Sequence, residues 1–163
     1  MMNELLEKLS SYNLFNYFFP GMLFAAIVDG LTDYSLIMDD IVVGVITYYF
    51  YGLVISRIGS LLIEPLAKKI GFVVYADYAD FIAACDVDKK LEAISETNNM
   101  YRTLASLFIC LVAFLAIDWL GQHCPAVAAT YPFLAVLGLL VLFLVAWKKQ
   151  TAYVSKRIKN ASS

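Results

Sequence analysis

Four apolar runs, separated by polar connectors, set the terms for everything this chain can fold into. They cover about residues 14–34, 41–63, 103–119 and 126–147. A bilayer core about 30 Å thick needs about 20 apolar residues in a helix, and each run is of that order. Backbone amides cannot be left unpaired in lipid, so each run reads as a helix. The expected fold is an all-α membrane protein: a bundle of four transmembrane helices in one membrane domain.

The charges then orient the bundle. All 12 Lys and Arg fall on one side of such a topology. Lys8 precedes the first run. Arg57, Lys68, Lys69, Lys89, Lys90 and Arg102 lie in or beside the second connector. Lys148, Lys149, Lys156, Arg157 and Lys159 follow the fourth run. The first connector holds Asp29, Asp33, Asp39 and Asp40 and no base. Positively charged loops stay in the cytoplasm. The expectation is therefore a multi-pass bacterial inner-membrane protein with both termini inside. Residues 148–163 read as a basic cytoplasmic tail. The apolar excess, 61% of residues at a net charge of −2, is segmented and needs no other explanation. The opening MMNELLEKLSS holds two Glu and one Lys, unlike the basic start of a signal peptide, so the first run reads as retained.

Residues 64–102 form the largest stretch outside the runs. The sequence EPLAKKIGF continues or ends the second helix at Gly71, and VYADYADFIAAC reads as a helical turn or two. No breaker separates residue 88 from residue 119, which predicts one long helix there, about 48 Å at 1.5 Å per residue. The second and third spans should thus extend into the cytoplasm as a helical hairpin. Residues 2–11 place Leu5, Leu6 and Leu9 on one face and Glu4, Glu7 and Lys8 on another. They read either as an interfacial amphipathic helix or as an ordinary frayed terminus.

Gly44, Tyr48, Gly52, Ser56, Ser60 and Glu64 recur every four residues on the second span. Small residues at that spacing let helices approach closely in lipid. The stripe is a packing seam, either inside one chain or between chains of a homo-oligomer. Tyr48, Tyr49 and Tyr51 need hydroxyl partners at that depth, from a polar interior or from nearby backbone. Arg57 either snorkels to the cytoplasmic surface or pairs with Glu64, seven residues on and on the same face.

Enzymatic chemistry finds no foothold. There is no G-x-S-x-G, no glycine-rich phosphate loop and no H-E-x-x-H. His123 and Cys124 make only a two-ligand fragment. The expectation is no catalytic residue, no metal, no cofactor and no nucleic-acid partner. A small transporter would need a charged coupling site at mid-membrane, which Arg57 does not reach.

The segments YNLFNYFFPG, ISRIGSLLIEPLAKKIGF and SETNNMYRT resemble a pattern in small uncharacterised bacterial four-span membrane proteins. In size and span count the chain also resembles the few-span membrane effectors of anti-phage defence systems. In those, a sensor module triggers oligomerisation and damage to the inner membrane. The resemblance implies an effector or pore-like homo-oligomer triggered through residues 64–102 or a partner, and it transfers no residue roles. The alternative is a non-enzymatic membrane anchor or accessory subunit whose hairpin binds a cytoplasmic protein. Membrane lipid is a partner on either reading.

Overall fold

The structure, a computed structural model, describes residues 13–161. The anticipated amphipathic segment 2–11 lies outside them. Every regular element described is helical. Helix α1 is Leu14–Leu31, α2 is Ile41–Lys69 and α4 is Lys90–His123, each long and apolar enough to cross a bilayer. A shorter helix, α3 (Tyr78–Val87), precedes α4, and α5 is Pro125–Ala161. The four expected spans are present as four helices.

Two prolines shape the bundle in the same way. Phe19 N–H reaches back five residues to the Leu14 carbonyl, and Glu64 N–H reaches back five to Gly59. In each case the next residue is proline, Pro20 or Pro65. Proline has no N–H, and its ring crowds the carbonyl four residues back. A single wide π-turn relieves that crowding and keeps the helix running. The first span therefore starts at Leu14, ahead of Pro20, and the second continues past Pro65 to Lys69.

Several boundaries differ from the sequence reading. Gly71 stops α2 with φ 75°, a conformation open to glycine. Residues 72–77 are non-helical, so a bent connector with α3 between the two extensions replaces a simple hairpin. The α4–α5 turn has only Cys124 between helices. The basic tail is no separate segment: α5 runs on unbroken to Ala161, because no breaker follows Trp147.

The α1–α2 connector is held by side-chain acceptors. Asp40 Oδ1 caps α2 by accepting from Val43 N–H at 2.9 Å. Asp29 accepts from Leu36 N–H at 3.1 Å. Tyr48 Oη accepts from Met38 N–H at 3.0 Å, a backbone partner rather than a water path.

The core is small. Val28, Ile55, Leu107 and Leu111 are buried, with Phe24, Ile27, Cys110 and Phe114 packed against them. Helices α1 and α2 cross at their glycines. A Cβ on Gly21 would overlap the Tyr48 carbonyl, and one on Gly52 would overlap the Tyr17 carbonyl. Both obstacles are main chain and cannot swing aside. Helix α5 is the least buried span: no residue of its most apolar stretch is fully buried, although Phe143 stacks on Phe50 of α2 with ring centroids 6.2 Å apart.

The crossing makes a matched prediction. Gly21→Ala and Gly52→Ala should each cost about 2–3 kcal/mol by overpacking. Gly30→Ala, with nothing within 4 Å of the added carbon, should be neutral or stabilising by up to about 1 kcal/mol. Thermal unfolding in detergent, read as retained monodisperse protein, should separate the first two variants from the third.

Candidate functional site

The stripe on α2 is the face this helix turns to the rest of its own chain. Gly44, Gly52, Ser56, Ser60 and Glu64 are buried, and Tyr48 is half-buried. Gly44 packs beside the Tyr48 ring, and Gly52 packs on α1 at Tyr17. Ser56 meets α4, where Thr103 Oγ1 donates to it at 3.4 Å. The neighbouring Gly59 leaves room for Ser106 of α4. Within the chain, then, the seam is already occupied.

Toward the basic end the seam becomes polar. Asn16, Ser56, Ser60, Glu64, Thr103 and Ser106 are all buried. Thr103 Oγ1 lies 3.5 Å from Asn16 Oδ1 and also bonds the Asn99 carbonyl at 3.0 Å. Ser106 Oγ donates to the Arg102 carbonyl at 2.7 Å. Hydroxyls that bond the preceding turn need no water, so α1, α2 and α4 meet here through satisfied polar groups.

Glu64 forms the centre of this end. It is 8% exposed and accepts from Arg102 Nη1 at 2.6 Å and from Lys68 Nζ at 2.7 Å. Of the two readings of Arg57, the pair with Glu64 is not the one formed. In an unbroken α-helix, residues seven apart sit about 20° from alignment. The wide turn at residues 59–63 adds the equivalent of about one residue, rotating Glu64 by about 100° away from Arg57. Glu64 thereby faces α4. Arg57 is left with Tyr17, whose hydroxyl accepts from Nη2 at 3.4 Å.

Helix α5 joins through Lys149, whose Nζ donates to the Ser60 carbonyl at 2.6 Å. The reason lies in Pro65. With Glu64 N–H bonded to Gly59, the next donor in that series would be residue 65, which has no N–H to offer Ser60. Lys149 supplies the donor that the proline removed. Lys149 also lies 5.9 Å over the Tyr153 ring. Sequence reasoning counted Arg102 and Lys149 only as topology charges, and it passed over Asn16 and Thr103. The available signal was Pro65, which announces an unpaired carbonyl one turn back.

At the opposite end a cavity of about 780 Å³ separates α4 from α5, lined by Phe114, Ile117, Asp118, Gln122, Tyr131 and Leu134 among others. The Tyr34 and Tyr131 hydroxyls share a hydrogen bond of 3.0 Å across its rim. That bond, more than any other cause, pushes the Tyr34 phenol up to about 12. Asp118 is held by Gln122 Nε2 at 3.0 Å. Cys85, Cys110 and Cys124 are all free thiols. Among the described residues no cluster of three or more His, Cys, Asp or Glu could hold a metal.

No family model matches the chain, and no curated protein or solved structure matches it.

Removing one member of a buried ion pair strands the other charge. Glu64→Leu should therefore destabilise the protein by about 2–3 kcal/mol, and Arg102→Met by less, because Lys68 still pairs the carboxylate. The double variant should recover at least half of the summed loss. Thermal unfolding of the four proteins in one detergent closes the cycle, and simple additivity would show that the pair does not couple.

Proposed function

We propose that this chain is a membrane-embedded effector that acts on the bilayer itself, as a homo-oligomer in a bacterial inner membrane with both termini in the cytoplasm. The observation that carries this reading is the position of α5. No residue of its apolar stretch is fully buried within the chain, and its attachment to the rest is by scattered contacts, Phe143 on Phe50, Tyr131 on Tyr34 and Lys149 on Ser60. Such a helix is the element of the bundle freest to pack on another copy or to shift in lipid. The orientation follows from the one-sided Lys and Arg. The anti-phage setting rests on the resemblance in size and span count.

A route from connector to spans supports an effector that receives a signal. Lys68 sits 4.1 Å over the Tyr75 ring, and Tyr75 Oη accepts from Asn98 Nδ2 at 3.3 Å. Tyr78 of α3 lies 6.2 Å from Tyr153 of α5. A partner that pulled on residues 72–87 would thus act directly on the residues holding α2, α4 and α5 together.

The alternative is a membrane anchor or accessory subunit, and one observation favours it. Phe72, Val74 and Val87 on the connector are 80%, 92% and 90% exposed, an apolar set that a protein partner would cover.

Membrane potential in bacteria carrying an inducible copy, read with a voltage-sensitive dye, discriminates the two. Single cysteines at Leu137 and Val141, in a background with the native cysteines changed to Ser, report contact between copies. The effector reading expects depolarisation together with disulfide-linked dimers through α5. An unchanged potential, monomeric α5 and a stoichiometric protein crosslinked to residues 72–87 would establish the anchor instead.

A further inference from the structure

We infer that Arg57, Lys68, Arg102 and Lys149 form a built site for the phosphate of an anionic phospholipid headgroup at the basic end of the bundle. The inference rests on the membrane reading alone and is independent of whether the chain is an effector or an anchor.

The charge does not balance within the cluster. Glu64 pairs with Arg102 and Lys68. Lys149 lies within electrostatic reach of Glu64, Arg102, Lys68 and Arg57. Glu64 meets two of these cations directly, while Arg57 and Lys149 bond a hydroxyl and a carbonyl instead, so four cations share one carboxylate and three positive charges are in surplus. Half-buried like charges repel through a medium that screens them poorly, so such a group is unfavourable until an anion joins it.

Donors are left over as well. Arg102 has a buried Nε with no hydrogen-bond partner among the described residues. Arg57 has five N–H donors to offer, and the one contact described for it is the long bond to Tyr17. Lys149 directs Nζ at Ser60 and retains further donor capacity. A phosphate presents several acceptor oxygens, and a guanidinium fork engages two of them at once.

Depth selects the source of that phosphate. Arg57 stands about 24 Å along α2 from Ile41, and Glu64 about 34 Å, at 1.5 Å per residue. A hydrocarbon core about 30 Å thick ends between them. The cluster therefore brackets the level of the lipid phosphates, where basic pockets between spans take headgroups. Lys156 and Arg157 on the extension of α5 differ: both are exposed, and they attract any anionic surface without forming a pocket.

The test uses the full chain, purified in detergent, with phosphatidylglycerol and phosphatidylcholine added in equal amounts and retained lipid counted by native mass spectrometry. The expected result is retention of phosphatidylglycerol over phosphatidylcholine. Arg57→Gln with Lys149→Gln should weaken retention about tenfold or more, and Lys156→Gln with Arg157→Gln by less than about twofold. Arg57→Gln alone guards against misfolding, since it leaves the Glu64 and Ser60 contacts intact, and it should weaken retention on its own at unchanged melting temperature. Equal losses in the two double variants would reduce the effect to diffuse attraction and overturn the site. No preference between the two lipids would do the same. Displacement of the bound lipid by inorganic phosphate would reassign the site to a free anion and overturn the lipid assignment.

Discussion

A proline inside a membrane helix removes a hydrogen-bond donor where no water can replace it, and much of this bundle follows from how two such losses are absorbed. At Pro20 and Pro65 the helix widens by one turn and continues. The second widening has the larger consequences. It rotates Glu64 off the Arg57 face and onto α4, where Arg102 meets it. It also leaves the Ser60 carbonyl short of a donor, which Lys149 of α5 supplies. One missing N–H thereby helps determine which helix each charged residue serves.

The two ends of the bundle are consequently built on different principles. At the basic end, α1, α2, α4 and α5 converge on buried hydroxyls, an amide and one carboxylate. Each such bond is favoured because the alternative is a polar group facing hydrocarbon. At the other end a cavity remains between α4 and α5, bridged at its rim by the Tyr34–Tyr131 hydrogen bond. Packing is thus tight at one end and open at the other, while the glycine and serine crossings of α1, α2 and α4 hold the middle.

The span count was legible because it depends on composition alone: four long apolar runs in 163 residues leave no other all-backbone-satisfied solution. The seam was legible as a repeat of small residues, since Gly52 and Ser56 sit at the spacing that helix contact requires. What could not be read was phase. The Arg57–Glu64 pairing assumed 3.6 residues per turn throughout, and a single wide turn invalidates it. Arg102 and Lys149 were invisible for a related reason. Both lie far along the chain from their partners, and only the packing of α4 and α5 on α2 brings them to Glu64 and Ser60. Where the sequence reading placed a separate basic tail, α5 continues past Trp147, because Lys and Arg are good helix formers.

The same polar cluster that staples the helices also limits how they can move. Glu64 is shared between Lys68 on its own helix and Arg102 on α4, so a shift of α4 along α2 need not strand the carboxylate. Lys149 has no such reserve: its one described carbonyl partner is fixed by the wide turn, and leaving it exposes Ser60 to hydrocarbon. Tyr78 of α3 lies beside Tyr153, one turn beyond this lysine on α5. An anion seated beside Arg57 and Lys149 would make departure of Lys149 from Ser60 costlier, because it would hold the lysine's charge at the position where the carbonyl needs its proton.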